Sequence, residues 1–211
     1  MKITAIITAG GTSSRYGNTN KLLEKINNKE VLRYTIEAFE NSNVDEIIIC
    51  ANKSIIPELE KLFTHKIIEG GTTRQESVFN GLKATTCDFV LIHDGARPMI
   101  TPEIINKSIE LVKEKNAITV MTKTIDTIKK VENGKIISTI DRTQLYNTQT
   151  PQAFKYDLIK SAHEKLQGKN FTDDAGMLEF LGYDVYVLDG DYKNIKITTP
   201  NDIEIAKVYL K

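Results

Sequence analysis

Residues 9–21 combine two adjacent glycines with two cations, directly after a short apolar run at residues 3–8. Gly10 and Gly11 have no Cβ, so their backbone amides can approach a bulky anion closely. Arg15 and Lys21 add positive charge at the far side of the same loop. A glycine-rich loop that follows a buried strand and carries two cations predicts a site for a polyphosphate.

Two common phosphate loops do not match this stretch. The dinucleotide fingerprint Gly-x-Gly-x-x-Gly, counted from Gly10, requires glycine where Thr12 and Arg15 stand. The Walker loop requires Gly-Lys-Ser/Thr, which does not follow the strand. The remaining pattern, Ala-Gly-Gly-Thr-x-Ser-Arg with a lysine six residues beyond the arginine, resembles the opening signature of nucleotidyltransferases that join an NTP to a sugar phosphate. The alternative is a glycine turn with two solvated cations.

A second glycine pair, Gly70-Gly71, stands before a predicted helix whose first residues include Arg74 and Ser77. Thr73 and Glu76 have capping-box spacing, which predicts that the helix begins there. A helix N-terminus after a strand can bind a base or a phosphate through backbone N–H groups. The alternative is a well-capped helix with no ligand.

Asp94 follows the apolar run at residues 89–93, which predicts a carboxylate at the carboxyl end of a buried strand. In an open parallel sheet this position suits a Mg²⁺ ion that bridges the carboxylate to phosphate oxygens. Alternatively, Asp94 caps the turn and pairs with Arg97. His93 is expected to be a structural residue at the strand end.

The bulk composition excludes several classes of protein. Lysine and arginine together number 28 and so do aspartate and glutamate, so no global field favours nucleic acid or an anionic membrane. Since there is no long apolar stretch and no signal peptide, we expect a cytoplasmic protein. Cys50 and Cys87 do not indicate a disulfide framework. The 211 residues suit a single domain, 1–211.

The order of the predicted elements favours an α/β fold: a Rossmann-like, mostly parallel sheet with helices on both faces. The predicted strands are 3–8, 46–51, 66–69, 89–93, 117–122, 184–188 and 194–198. The predicted helices are 30–40, 54–63, 73–83, 156–166 and three that begin after Thr101, Thr172 and Thr199, each threonine acting as N-cap or helix start. Within these elements, His163 is expected on an exposed helix face, and Lys196 on the opposite side of its strand from the flanking isoleucines.

A projecting hairpin is predicted where Asn133-Gly134 separates two segments, residues 126–132 and 135–140. Asn-Gly between alternating segments is a strong hairpin signal. A two-stranded hairpin is marginal by itself, so we expect it to pack against another surface. The favoured surface is a second copy of the chain, which predicts a homodimer formed through an arm at about residues 124–149.

Taken together, the motifs resemble the 2-C-methyl-D-erythritol 4-phosphate cytidylyltransferases, enzymes of the non-mevalonate route to isoprenoids. The resemblance spans nearly the whole chain, and its motifs stand in the same order. The matching segments are Ala9-Gly10-Gly11 with Arg15 and Lys21, Gly70-Gly71 with Arg74 and Ser77, His93-Asp94-x-Ala96-Arg97-Pro98, Asp126-Thr127-Ile128-Lys129, Asp141-Arg142, Gln149-Thr150-Pro151-Gln152, Thr172-Asp173 and Asn194-Ile195-Lys196.

The resemblance implies a fold of the nucleotide-diphospho-sugar transferase type and a reaction between CTP and a polyol phosphate. It implies catalytic roles for Arg15, Lys21 and Lys196, which would neutralise the triphosphate. It implies nucleotide binding by Ala9, Gly10, Gly11, Gly71, Arg74, Ser77 and Asp94, with Asp94 also at a Mg²⁺ site. It implies binding of the acceptor phosphate by Thr127, Arg142, Thr150 and Thr172, with Arg142 supplied by the arm of the partner subunit.

Other functions remain open at this point. A ribitol-5-phosphate cytidylyltransferase would share the nucleotide half and differ in its acceptor, and a sugar-1-phosphate nucleotidyltransferase would use another NTP. A non-catalytic nucleotide-binding module is expected to have lost some of the charged site residues, yet all four of them are present: Arg15, Lys21, Asp94 and Lys196. A dinucleotide oxidoreductase is disfavoured because the fingerprint is absent.

Overall fold

The computed structural model describes residues 1–11, 16 and 20–210. Its strands are β1 (Ile3–Ala9), β2 (Lys25–Ile26), β3 (Lys29–Glu30), β4 (Glu46–Ala51), β5 (Lys66–Glu69), β6 (Phe89–Asp94), β7 (Ala117–Lys123), β8 (Ile128–Glu132), β9 (Lys135–Ile140), β10 (Tyr146–Lys155) and β11 (Tyr186–Asp189). Its α-helices are α1 (Val31–Glu40), α2 (Ile56–Leu62), α3 (Arg74–Lys83), α4 (Pro102–Lys115), α5 (Tyr156–Lys165), α6 (Ala175–Phe180) and α7 (Pro200–Tyr209), and a 3₁₀ turn, Lys53–Ile55, precedes α2.

Seven strands form the central sheet, in the order β11-β7-β10-β6-β1-β4-β5. Strand β10 runs antiparallel to both of its neighbours, β6 and β7, whereas the other neighbouring pairs are parallel. The predicted α/β fold with a mostly parallel sheet is therefore confirmed.

Helices cover both faces of this sheet because its central strands are apolar on both sides. Along β1, Ala5 and Ile7 belong to the hydrophobic core that also contains residues of α1, α2, α4 and α7. Ile6 points to the other face, where it packs in a second core with residues of α3, α5 and α6. Since side chains alternate between the faces of a strand, an uninterrupted apolar run is what a doubly covered strand requires.

The predicted helix starts at Thr73 and Thr101 are confirmed. The Thr73 side chain accepts a hydrogen bond from the N–H of Glu76, and the Glu76 carboxylate accepts one from the N–H of Thr73, which completes a capping box. Thr101 accepts from the N–H of Ile104, and Pro102 occupies the first turn of α4. These caps satisfy N–H groups that a helix leaves without internal partners.

Strand β10 was not expected from the sequence, because its polar residues do not alternate with apolar ones. Gln149, Thr150 and Gln152 are nevertheless buried, and hydrogen bonds from other segments satisfy their side chains. A register shift between Thr148 and Gln152 interrupts its pairing with β7. Tertiary hydrogen bonds, and not local periodicity, therefore place this strand in the sheet.

Three further expectations were wrong. Residues 194–198 form no strand and instead pass beside the turn after β6, where the N–H of Ile197 donates to the carbonyl of Ala96. Helix α6 begins after Asp174 and not at Thr172, since the Asp173 carboxylate accepts from the N–H of Gly176. His163 lies in the protein interior, because its imidazole bonds to a buried carboxylate that the sequence pattern does not reveal.

The predicted hairpin is confirmed as β8 and β9, joined through Asn133 (φ 50°) and Gly134 (φ 78°). Positive φ values at both residues are typical of the tight turn that Asn-Gly favours. Every residue of the two strands is exposed in the isolated chain, including several large apolar ones. These are Ile128, Val131, Ile136, Ile137 and Ile140. The hairpin thus lacks a core within its own chain.

Within the part of the chain that the structure describes, no helix is long and apolar enough to cross a membrane.

Candidate active site

A cleft of about 270 Å³ opens where the chain leaves the carboxyl ends of β1, β5 and β6. Open parallel sheets form their ligand sites at this edge. Residues from four distant parts of the sequence line the cleft. They are Thr8, Gly10, Gly11, Lys21, Leu22, Gly71, Thr72, Thr73, Arg74, Ser77, Asp94, Ala96, Lys196 and Thr198. The structure therefore brings together most of the nucleotide and catalytic residues expected from the sequence.

The two glycine pairs meet around the hydroxyl group of Ser77. Ser77 Oγ accepts a hydrogen bond from the N–H of Gly71 at 3.0 Å and donates one to the carbonyl of Thr73 at 2.9 Å. A Cβ atom at Gly10 would lie 3.1 Å from this oxygen, and one at Gly70 would lie 2.8 Å from it. Glycine at both positions lets the two loops pack closely against one serine side chain, whose hydroxyl already bonds to the backbone.

The Asp94 carboxylate is enclosed by three cations. Lys196 Nζ lies 2.8 Å from its Oδ2 atom, Arg74 Nε 3.3 Å from Oδ1, and Arg97 Nε 3.6 Å from Oδ2. Burial of Asp94 raises its pKa, but Arg74, Lys196 and Arg97 outweigh this and hold the pKa well below its usual range. Asp94 is therefore a fixed negative charge, and its predicted pairing with Arg97 is present.

Lys21 and Lys196 lie 175 positions apart in sequence and line the same cleft. Lys21 Nζ donates a 2.7 Å hydrogen bond to the carbonyl of Ile197, which ties the loop after β1 to the segment that carries Lys196. The Lys196 side chain is 39% exposed, so its ammonium group is accessible from the cleft while it contacts Asp94. Two ammonium groups are thus held at the same cleft by contacts with other segments of the chain.

Arg74 spans two carboxylates. Besides its contact with Asp94, its Nη1 atom lies 2.7 Å from Oδ2 of the buried Asp174. His163 Nε2 lies 3.1 Å from the other oxygen of Asp174. Neither Asp174 nor His163 was expected at the site from the sequence, in which the one local signal was the position of Asp174 next to the Thr172-Asp173 motif.

Thr150 lies behind the cleft and not on its surface. Its hydroxyl accepts a hydrogen bond from the N–H of Asp94 at 3.1 Å and lies 2.9 Å from His93 Nδ1. His93 is fully buried and packs against the ring of Phe39. The expectation that His93 is structural agrees with this position, and Thr150 fixes the backbone of Asp94 from behind.

The other expected site residues stand apart from the cleft. Thr127 and Arg142 are exposed at the base of the hairpin, where the Arg142 guanidinium donates to the carbonyl of Ile125. Thr172 is exposed at the turn before α6. Ala9 is the last residue of β1 and does not line the cleft. Arg15 lies outside the residues that the structure describes.

The metal site expected from the sequence rests on one carboxylate. Over residues 1–11, 16 and 20–210, no group of three or more His, Cys, Asp or Glu side chains could hold a metal ion. A single ionised carboxylate beside a phosphate site is nonetheless typical of Mg²⁺ sites, in which substrate phosphates and water supply the other ligands. The residues present therefore fit an ion that is held mainly by a polyphosphate ligand.

Comparison with known proteins gives one consistent result. The family model described as 2-C-methyl-D-erythritol 4-phosphate cytidylyltransferase (IspD) matches residues 3–211. The chain is 42% identical over 222 residues to the enzyme of that name from Clostridioides difficile, with 97% of this chain and 92% of the relative covered. It is also 42% identical over 224 residues to that from Clostridium perfringens strain SM101, with 100% and 99% covered.

Solved structures agree. The crystal structure of 4-diphosphocytidyl-2C-methyl-D-erythritol synthase from Anaerococcus prevotii superposes with a TM-score of 0.88 at 35% identity, with 99% of this chain and 98% of that chain covered. The 2-C-methyl-D-erythritol 4-phosphate cytidylyltransferase from Thermus thermophilus also gives 0.88, at 27% identity, with 100% and 99% covered.

The burial of His93 predicts a pH dependence of stability. Desolvation lowers the pKa of His93 from 6.5 to about 3, so between these values the unfolded chain binds a proton that the folded chain does not. The free energy of unfolding must therefore fall as the pH decreases through this window. The free energy of unfolding, measured by urea unfolding followed by circular dichroism, should depend less steeply on pH in His93→Asn than in the wild type. The difference between the two slopes should approach about 1.4 kcal/mol per pH unit near pH 5.

Above about pH 7.5 the two slopes should coincide, because His93 is then neutral in both the folded and unfolded chains. This range is an internal control for general effects of the substitution. Equal slopes between pH 6.5 and 5 would show that His93 does not cause the acid sensitivity.

Proposed function

This chain belongs to the 2-C-methyl-D-erythritol 4-phosphate cytidylyltransferase family. We propose that the cytidylyl transfer takes place in the cleft at the carboxyl ends of β1, β5 and β6. The chain transfers the cytidylyl group of CTP to 2-C-methyl-D-erythritol 4-phosphate and releases pyrophosphate, a step in the synthesis of isoprenoid precursors. The observation that supports the location is the convergence of Lys21, Lys196 and the two glycine loops on one cleft.

The reaction requires no general base from the protein. A phosphate monoester has its second pKa at about 6, so the acceptor phosphate is already mostly a dianion at neutral pH. One of its oxygens forms a bond to the α-phosphorus of CTP, and the bond from that phosphorus to the β-phosphate oxygen breaks. Pyrophosphate leaves with the electron pair of the broken bond. What the protein must supply is orientation and compensation of negative charge.

Lys21 and Lys196 meet the second requirement. Both ammonium groups lie at the cleft, and Lys196 can pass from Asp94 to a phosphate oxygen without leaving Asp94 unpaired, because Arg74 and Arg97 remain beside it. Arg15 would add a third cation. Preorganised cations of this kind stabilise the charge that develops on the leaving pyrophosphate.

The glycine loops would hold the nucleotide. Gly11 lines the cleft, and among the described residues other than its chain neighbours no heavy atom lies within 4 Å of the position that a Cβ would occupy. Gly71 and Arg74 lie beside the N-terminus of α3, where the helix dipole favours anionic ligands. Ser77 would act by fixing both glycine loops. Ala9 would act by joining β1 to the loop that begins with Gly10.

Asp94 would hold a Mg²⁺ ion together with the triphosphate. Such an ion, when bound, supplies charge compensation for the phosphates and the pyrophosphate leaving group. The contribution of the protein is an aspartate that stays ionised because three cations surround it.

The acceptor would be bound by Thr172 of one chain, and by Thr127 and Arg142 of a partner chain in a homodimer. Thr150, whose hydroxyl is buried against Asp94 and His93, would act from behind the cleft by fixing the backbone of Asp94. The hairpin that carries Thr127 and Arg142 exposes five large apolar side chains and has no core within its own chain. Exposed apolar surface on an isolated two-stranded hairpin favours a partner that covers it. A second copy of the chain is the proposed partner.

The assignment of substrates can be tested by measuring pyrophosphate release with Mg²⁺. CTP with 2-C-methyl-D-erythritol 4-phosphate should give release, whereas CTP with ribitol 5-phosphate should give little. Release with ribitol 5-phosphate alone would keep the nucleotide site and overturn the acceptor. Release with neither acceptor would favour a nucleotide-binding module without this activity.

Removal of a cleft lysine should affect the chemical step. We expect Lys196→Ala and Lys21→Ala to lower kcat by about 10²–10³, the scale for loss of one preorganised transition-state contact. Lys193→Ala is the matched control, because its ammonium group lies over the ring of Tyr209 and not in the cleft. Circular dichroism checks that each variant is folded, and wild-type turnover in either cleft variant would remove that lysine from the catalytic set.

The arm predicts a dimer at micromolar concentration in sedimentation velocity. Ile136→Glu should shift the protein toward monomer and raise the KM for the acceptor, since a charge on the apolar arm opposes its burial. Ile205→Glu is the control, because Ile205 is another exposed isoleucine but lies on α7. A wild-type protein that sediments only as monomer would contradict both the dimer and the partner role of Arg142.

A further inference from the structure

Arg74, Asp174 and His163 form a hydrogen-bonded network that runs from the cleft, which Arg74 lines, into the protein interior. The side chains of Asp174 and His163 are each 1% exposed, and that of Arg74 is 28% exposed. Arg74 Nη1 contacts one oxygen of Asp174 at 2.7 Å, and His163 Nε2 contacts the other at 3.1 Å. Ionic groups that are removed from water are costly unless they are paired, so this arrangement constrains the segments that carry it.

Gln152 ties the same network to the segment that contains Thr172. Its amide Nε2 donates to Oδ2 of Asp173 at 2.8 Å, and its Oε1 accepts from the N–H of Asp174 at 2.9 Å and of Ala175 at 3.3 Å. Gln152 is fully buried within β10. Gln152 thus holds the turn at residues 172–175 through the Asp173 side chain and two backbone N–H groups, and Arg74 and His163 hold it through the Asp174 side chain.

The network also reaches the nucleotide side. Arg74 is the first residue of α3, and its Nε atom contacts Oδ1 of Asp94 at 3.3 Å. The Arg74 guanidinium is therefore shared between Asp94 at the cleft and Asp174 within the segment that carries Thr172. Arginine suits this position because its donors lie in a rigid planar fork.

We propose that Asp174 and His163 are positioning residues that fix the acceptor segment, residues 172–175, relative to the nucleotide cleft through Arg74. This inference rests on the proposed acceptor role of Thr172. His163 Nε2 donates to Asp174 and orients its carboxylate, and Asp174 holds the Arg74 guanidinium away from full pairing with Asp94. Neither residue touches a substrate.

Loss of the Asp174 charge should therefore affect the two substrates differently. Without Asp174, the Arg74 guanidinium keeps its contact with Asp94 but loses the opposing carboxylate, and the acceptor segment loses the tether that the Asp174 side chain provides. The cleft becomes one charge unit more positive, which does not disfavour a triphosphate. The KM for the acceptor should rise, while the KM for CTP should stay the same or fall.

The test compares both KM values and kcat for Asp174→Asn, His163→Leu and His163→Gln. Asp174→Asn should raise the acceptor KM about tenfold, near the lower end of the cost of losing a hydrogen bond to a charged group, and change the CTP KM less than about twofold. His163→Leu should produce a smaller rise in the same direction. His163→Gln, which can place an amide N–H near the position of Nε2, should restore wild-type values.

Glu46→Gln is the control for general destabilisation. Glu46 pairs with Lys2 and accepts from Thr4 at the amino end of the sheet, far from the cleft along β1 and β4. This variant should lower the melting temperature without changing the acceptor KM. Should Asp174→Asn fail to fold, the two His163 variants still decide the question.

Thr172→Val separates the two proposals. An unchanged acceptor KM in Thr172→Val would refute the acceptor role of that residue. A raised acceptor KM in Thr172→Val, together with an unchanged one in Asp174→Asn and His163→Leu, would refute the positioning role alone. A rise in the CTP KM, or equal effects of His163→Leu and His163→Gln, would also overturn the positioning role.

Discussion

The buried negative charge of Asp94 is the constraint on which the rest of the site depends. A carboxylate at the end of a central strand cannot remain ionised in the interior unless cations compensate it. The three that do so come from different parts of the chain: Arg74 begins α3, Arg97 lies in the turn after β6, and Lys196 lies near the C-terminus. The cleft is assembled where these segments meet around one charge.

Arg97 extends this organisation to segments that have little regular structure. Its Nη1 atom donates to the carbonyl of Asn194 at 2.7 Å, and its Nη2 atom lies 3.4 Å from the carbonyl of Thr148. The buried Asn194 amide donates in turn to the Gln149 side chain and to the carbonyl of Thr150. Side-chain hydrogen bonds therefore replace a backbone ladder in fixing residues 194–198, and Lys196 is positioned by them.

The electrostatics of the site contrast with those of the whole chain. Acidic and basic residues balance over the whole chain. The described lining of the cleft, in contrast, contains three basic residues, Lys21, Arg74 and Lys196, and one acidic residue, Asp94. A local excess of fixed cations in a neutral protein attracts a polyphosphate without attracting nucleic acid in general. The reaction of this family joins two phosphorylated substrates, and a concentrated but local positive field is suited to bringing them together.

Local sequence signals were sufficient to predict the parallel core and much of the cleft. Uninterrupted apolar runs predicted strands that are covered on both faces, and glycine pairs after β1 and β5 predicted close approaches of the backbone. Asn133-Gly134 predicted the hairpin, and the apolar run before Asp94 placed this carboxylate at a strand end. Each of these signals is local, because it arises from backbone freedom or from the period of side-chain burial. Long-range contacts were needed to establish β10 as a strand, the irregular path of residues 194–198 and the burial of His163 against Asp174. Their polar side chains are satisfied by partners between 11 and 100 positions away in the chain, so no local pattern could reveal where they lie.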